Sequence, residues 1–111
     1  MLNVLSVASW MNAPILGTYG LSKSAAWALT NGLRVELRGQ GTLVCGLHVG
    51  FVDTDLVRPL DVPKISAVEV AEGALAGVES GDEEILVGER ALQVKRGLTA
   101  QPPMYLTLGR R

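Results

Sequence analysis

The sequence predicts an α/β fold in which parallel strands alternate with helices. Three short apolar runs, at residues 1–7, 42–49 and 84–87, have the length and composition of buried strands. Between them lie two longer segments, 18–38 and 66–79, with apolar residues at helical spacing. The order strand–helix–strand–helix–strand implies a parallel sheet joined by right-handed crossovers.

Each element has a local reason. Met1–Val7 is apolar apart from Asn3 and Ser6, as a strand buried on both faces should be. Residues 8–18 form a loop broken by Asn12, Pro14 and Gly17. Trp10, Met11, Ile15 and Leu16 make this loop unusually apolar, so it either lines a substrate pocket or packs under a neighbouring helix. In the helix over 18–38, Ala25, Ala26, Leu29, Leu33 and Leu37 share one stripe, with Trp27 near its rim. Gly39 and Gly41 stand where that helix should stop. The second strand, Thr42–Val49, carries Cys45 and His48.

Residues 50–65 show little regular pattern, and Pro59 and Pro63 interrupt them. A connection this long is uncommon unless it is functional or mobile. Ser66-Ala67-Val68-Glu69 is a capping box that opens the next helix. Val70, Ala71, Ala74, Leu75 and Val78 carry its apolar face, and Ser80-Gly81-Asp82 ends it. Glu84–Val87 is the last strand, and residues 89–98 form a closing helix. Residues 1–100 are expected to form one domain and 101–111, with Pro102-Pro103, a tail.

Composition narrows the function. A chain of 111 residues suits one domain, able to bury roughly two-thirds of its unfolded surface. With 48% hydrophobic and 19% charged residues it reads as globular rather than disordered. A net charge of −1 gives no electrostatic case for binding nucleic acid or an anionic membrane, and Arg110 and Arg111 are too few to make a basic tail. Cys45 stands alone, which excludes an intrachain disulfide and a CxxC metal site and leaves a buried inert thiol. His48 lacks metal partners and is expected to be a hydrogen-bonded strand histidine, so no metal is expected. Asp53 and Asp55, flanking Thr54 past a strand end, read as turn caps. No Lys or Arg precedes Lys23, so a signal peptide has no basic start, and no run reaches membrane-spanning length. A reducing, cytoplasmic setting is expected.

Chemistry concentrates in Ser6, Tyr19 and Lys23. Tyr19 and Lys23 are four apart at the start of the long helix, on one face and about 6 Å apart along its axis. A phenol beside an ammonium makes a proton donor that also works as a base. Bringing a phenol from its usual pKa near 10 to neutrality costs ~4 kcal/mol. One positive charge at ~4 Å, in a medium of effective dielectric ~20, supplies a term of that size. Ser6 ends an apolar strand, so its hydroxyl can reach a substrate oxygen from the opposite side. No Gly-x-Ser-x-Gly elbow surrounds Ser6, which argues against a serine hydrolase.

This spacing resembles the short-chain dehydrogenase/reductase superfamily, in which a Tyr-x-x-x-Lys motif follows a serine thirteen positions upstream (here 19 − 6 = 13). Asn3-Val4-Leu5-Ser6-Val7-Ala8 resembles the family's serine-bearing strand, with Leu5 in place of the first of its paired serines. His48-Val49-Gly50-Phe51-Val52-Asp53-Thr54 resembles its Pro-Gly-x-Val-x-Thr segment, with Val49 in place of the proline. The resemblance implies a partial Rossmann-like, doubly wound parallel sheet and a reaction interconverting an alcohol and a carbonyl with NAD or NADP. It implies that Tyr19 exchanges the proton and Lys23 holds the nicotinamide ribose. Ser6 would bind the substrate oxygen. Gly50, Val52 and Thr54 would border the nicotinamide carboxamide, Thr54 and the backbone of Val52 contacting it. It further implies a substrate-covering lid in residues 50–65 and a homo-oligomer packed through helix 18–38. The apolar loop favours a hydrophobic carbonyl compound.

A dinucleotide site also needs a glycine-rich turn leading from a strand into a helix whose N-terminus faces the pyrophosphate. None is present; Gly39-Gln40-Gly41 precedes a strand. The family's catalytic asparagine and the residue choosing between NAD and NADP are missing as well. The expectation is therefore the carboxyl-terminal half of a dehydrogenase, lacking the amino-terminal nucleotide-binding half, with an exposed hydrophobic sheet edge. By itself it should associate and bind NAD(P) weakly or not at all. A non-catalytic fragment acting through association with another subunit is the alternative.

Overall fold

The computed structural model describes residues 1–52 and 62–108. β1 (Leu2–Val4), α1 (Thr18–Leu37), β2 (Cys45–Val49), α2 (Ala67–Glu79) and β3 (Glu84–Val87) follow in the expected order. After them come α3 (Glu89–Gly97) and, within the expected tail, one helical turn, α4 (Met104–Thr107). The strands pair in parallel in the order β1–β2–β3. Both the α/β class and the parallel sheet are therefore present. Asp53, Thr54 and Asp55, most of the expected lid, and Arg110 and Arg111 lie outside the described residues.

β2 is the centre of the sheet, and all five of its residues are buried. β1 is shorter than its apolar run, but its pairing extends past both ends. Cys45 N donates to Met1 O at 2.8 Å, and Leu5 N to Leu47 O at 2.7 Å. Among the described residues nothing pairs with the other side of β1, and Met1, Leu2 and Val4 are exposed there. The sheet edge is as apolar as expected.

Side chains of a strand alternate between faces, and here the two faces meet different helices. Cys45, Leu47 and Ile85 cluster with Ala74 of α2. On the opposite face, Asn3 Nδ2 donates to Thr30 Oγ1 of α1 at 3.0 Å. A Cβ added to Gly46 would meet Thr30 Cγ2 at 3.6 Å. Lys95 of α3 pairs with Glu84 on this face too. Helices thus cover both faces, the doubly wound arrangement. α1 and α2 lie on opposite faces, yet both crossovers step the same way across the sheet. The crossovers are therefore of opposite hand, which corrects the expectation that both are right-handed.

The helices sit closer to the sheet than their apolar stripes suggest. In α1 the buried positions are Gly20 and Thr30, and Arg34 reaches under the strands to donate to Val44 O at 3.2 Å and Glu83 O at 3.0 Å. Ala25 and Leu29 of the expected stripe face outward, and Leu33 and Leu37 are half-buried. In α2 the buried face is Val70, Gly73, Ala74 and Gly77, whereas Ala71, Leu75 and Val78 are exposed. A Cβ on Gly77 would lie 2.6 Å from Ile85, and one on Gly73 2.7 Å from Val87. These two glycines, one turn apart, let α2 rest on β3. The capping box forms as expected, Ser66 Oγ accepting from Glu69 N at 3.1 Å. Gly41, left-handed at φ 76°, closes the short 3-10 turn (Arg38–Gln40) that follows α1.

Candidate active site

The site is built where β1 ends. Ser6 keeps extended backbone (φ −159°, ψ 157°), and a 3-10 turn follows at Val7–Ser9. Ser6 Oγ accepts from Ala8 N at 3.1 Å, capping the turn. The hydroxyl hydrogen remains available as a donor. Ser9 Oγ donates back to Ser6 O at 2.6 Å, and Ser24 Oγ of α1 donates to Ser9 O at 2.8 Å. The turn is therefore fixed from within and from the helix.

α1 starts at Gly17, whose φ of 50° suits glycine. Gly20 is a second requirement, because a Cβ there would stand 2.2 Å from Asn12 Oδ1 of the preceding loop. That approach seats the loop against the first turn of α1, where Tyr19 and Lys23 emerge one turn apart. Lys23 Nζ donates to Val4 O at 3.1 Å and stands 5.7 Å from the centroid of the Tyr19 ring, within cation–π range. The carbonyl of Val4, which the sequence did not single out, thus anchors the ammonium.

Ser6, Tyr19, Lys23, Gly50 and Val52 all line one cavity of about 380 Å³. Thr54, the sixth expected site residue, lies outside the described residues. Val7, Ile15, Leu16 and Phe51 give the cavity its apolar wall. Ile65 N donates to Phe51 O at 2.9 Å, and a bridge between Val52 and Ile65 steadies that side. The apolar loop divides between the cavity and the helix. Ile15 and Leu16 face the cavity, whereas Trp10 is buried edge-on against Trp27 at 6.0 Å.

A hydroxyl donor, a phenol and an ammonium around an apolar hollow can hold a polarised oxygen and pass a proton to or from it. The volume is that of a small-ligand pocket. Lys23, Gly50 and Val52, the described residues expected to border the nicotinamide end of a dinucleotide, are among its lining. Among the described residues no glycine-rich strand-to-helix turn is present for a pyrophosphate, so the fit stops at that end. Also among the described residues, no cluster of His, Cys, Asp or Glu could hold a metal ion, and no helix is long and apolar enough to cross a membrane.

His48 is the hydrogen-bonded strand histidine expected. It is fully buried, with Nδ1 3.4 Å from Ser6 O and 3.4 Å from Ser9 Oγ. Its ring stacks on Trp10 with centroids 3.7 Å apart and planes 14° apart. Burial pushes its pKa down from 6.5 to about 4, against the opposing bond to Ser6 and the charge of Glu84.

No protein-family model and no curated protein sequence matches the chain. Solved structures do. A short-chain dehydrogenase from Burkholderia cenocepacia, in complex with NADP, is 33% identical and superposes with a TM-score of 0.85 over 91% of this chain. A bulky-bulky ketone specific alcohol dehydrogenase from Comamonas testosteroni is 25% identical, with a TM-score of 0.61 over 86% of this chain. This chain spans 43% and 38% of their respective lengths. The shared strand order, the helices on both faces and this likeness lead to one conclusion: the chain has the partial Rossmann-like fold of a short-chain dehydrogenase/reductase.

Proposed function

We propose that the chain carries the catalytic residues of an NAD(P)-dependent oxidoreductase interconverting an alcohol and a carbonyl. The observation that carries this reading is the single cavity bordered by Ser6, Tyr19 and Lys23. Tyr19 gives a proton to the carbonyl oxygen on reduction and takes it back on oxidation. Lys23, held by the Val4 carbonyl, supplies positive charge beside the phenol and binds the nicotinamide ribose. Ser6 donates to the same substrate oxygen and stabilises the charge that develops on it. Gly50, Val52 and Thr54 border the carboxamide. The nicotinamide supplies or accepts the hydride. The Burkholderia structure's NADP supports a nicotinamide cofactor without deciding between NAD and NADP.

The substrate is an apolar ketone or alcohol, supported by Val7, Ile15, Leu16 and Phe51 around the cavity and by the ketone named for the Comamonas enzyme. Residues 1–100 act as one unit with 101–111 as an appendage. The single buried thiol suits the reducing cytoplasm. The test is a chimera in which this chain replaces the matching part of the Burkholderia dehydrogenase. NADPH-dependent reduction of aryl ketones supports the reading. A folded, NADP-binding chimera without turnover removes it.

A second reading has its own observation. Leu21, Leu29 and Val35 on the outer face of α1 are between 62% and 70% exposed, more apolar surface than one helix ordinarily presents to water. The chain then acts through association, as a homo-oligomer or on another subunit, without catalysis. The chimera with the Burkholderia dehydrogenase separates the two, because ketone turnover that is lost on Tyr19→Phe excludes the non-catalytic reading.

A further inference from the structure

We infer that His48 is a positioning residue for Ser6: its imidazole, clamped against Trp10, holds the Ser6–Ser9 turn so that the Ser6 hydroxyl faces the cavity. This rests on reading Ser6 as the group that binds the substrate oxygen. His48 lies on β2 and Ser6 just past β1, so the imidazole joins the two strand ends beside the cavity that Ser6 and Val49 line.

The hydrogen-bond inventory fixes which nitrogen carries the hydrogen. Ser6 O can only accept. The Ser9 hydroxyl spends its hydrogen on Ser6 O at 2.6 Å, so towards His48 it too can only accept. Nδ1 must therefore be the N–H, shared between two acceptors at 3.4 Å each. Bonds that long are individually weak. Orientation comes from packing: Trp10 lies flat on the ring, and Trp27 meets Trp10 edge-on. From α3, Lys95 Nζ stands 5.3 Å from the Trp10 centroid and is tied to Glu84. The charged groups felt by His48 are Glu84, Lys95 and Arg34, and burial outweighs them, leaving the imidazole neutral at neutral pH. A neutral ring in one tautomer, gripped on its face, gives the Ser6 peptide one orientation.

The test uses the 111-residue chain, without cofactor or ketone. Ala8 N donates to Ser6 Oγ, so hydrogen exchange of the segment spanning residues 5–11 reports whether that hydroxyl is in place. His48→Leu should speed exchange there about fivefold, the loss of a bond of ordinary net strength. His48→Asn, which returns a donor near the Nδ1 position, should restore it, and the β3 segment should keep native protection in both. Equal acceleration in both variants, acceleration spreading to β3, or no change in either overturns the inference. His48 is the chain's one histidine, so its ¹⁵N signals are unambiguous even in an associated sample. They should show the hydrogen on Nδ1, and a hydrogen on Nε2 overturns the inference even if a variant fails to fold. Failure of these readouts leaves the Tyr19 reading standing, and loss of that reading leaves the turn geometry to be judged on its own.

Discussion

At the scale of the residue, the proposed chemistry depends on how Tyr19 and Lys23 stand one helical turn apart. The ammonium has a backbone anchor in Val4 O and an aromatic face nearby, so its place does not depend on a carboxylate. Lys23→Met in the chimera should lower turnover and weaken cofactor binding together, because the proposed function assigns both tasks to this one side chain. Steady-state kinetics with cofactor titration checks this. His48 gives a pH prediction. Its folded pKa, about 4, lies below its ordinary 6.5, so between those values the unfolded chain binds more protons than the folded one. Stability is complete above pH 6.5 and declines as pH falls towards 4. Urea midpoints at pH 7 and pH 5 should differ for the native chain, and by less for His48→Asn.

The gathering of Ser6, Tyr19 and Lys23 around one cavity was legible because their spacing, thirteen and then four residues, is a local property. The stack of Trp10 on His48 was not, because 38 positions separate the two and neither carries a motif. The Val4 carbonyl was hidden for another reason. Any residue type supplies a backbone oxygen, so sequence cannot mark it.

At the scale of the element, order and type could be read from periodicity, but facing could not. α1 turns Gly20, Ser24, Thr30 and Arg34 towards the sheet and the turn, satisfying the polar groups through Ser9 O, Ala26 O and Val44 O. Leu21, Leu29 and Val35 look outward. An apolar stripe shows that a surface is to be covered, without showing by what. That the two crossovers differ in hand was equally hidden, since periodicity does not record which face of the sheet a helix covers. Glycine makes this scale testable. Gly77→Ala should destabilise by about 1–2 kcal/mol, because crowding Ile85 outweighs the gain in helix propensity. Gly32→Ala, on the open side of α1 with nothing within 4 Å, should stabilise by up to ~1 kcal/mol. Denaturant midpoints of the pair check both signs.

At the scale of the whole molecule, the radius of gyration of 14.6 Å exceeds the roughly 13 Å of a compact domain this long. Among the described residues, nothing covers Leu21, Leu29 and Val35 on the outer face of α1, and no strand pairs with the free edge of β1. Leu29→Glu with Val35→Lys should reduce self-association, read as a lower mass by light scattering, without altering the cavity. The 111-residue chain should show no micromolar affinity for NADP in calorimetric titration, since among the described residues no phosphate cradle accompanies the cavity. The most direct measurement is turnover of the Burkholderia chimera with Tyr19 and with Tyr19→Phe. The account predicts NADPH-dependent ketone reduction that falls by ~10²–10⁴ on removing the phenolic oxygen, with NADP affinity unchanged. A folded Tyr19→Phe chimera that keeps turnover within a few-fold of its parent would contradict it.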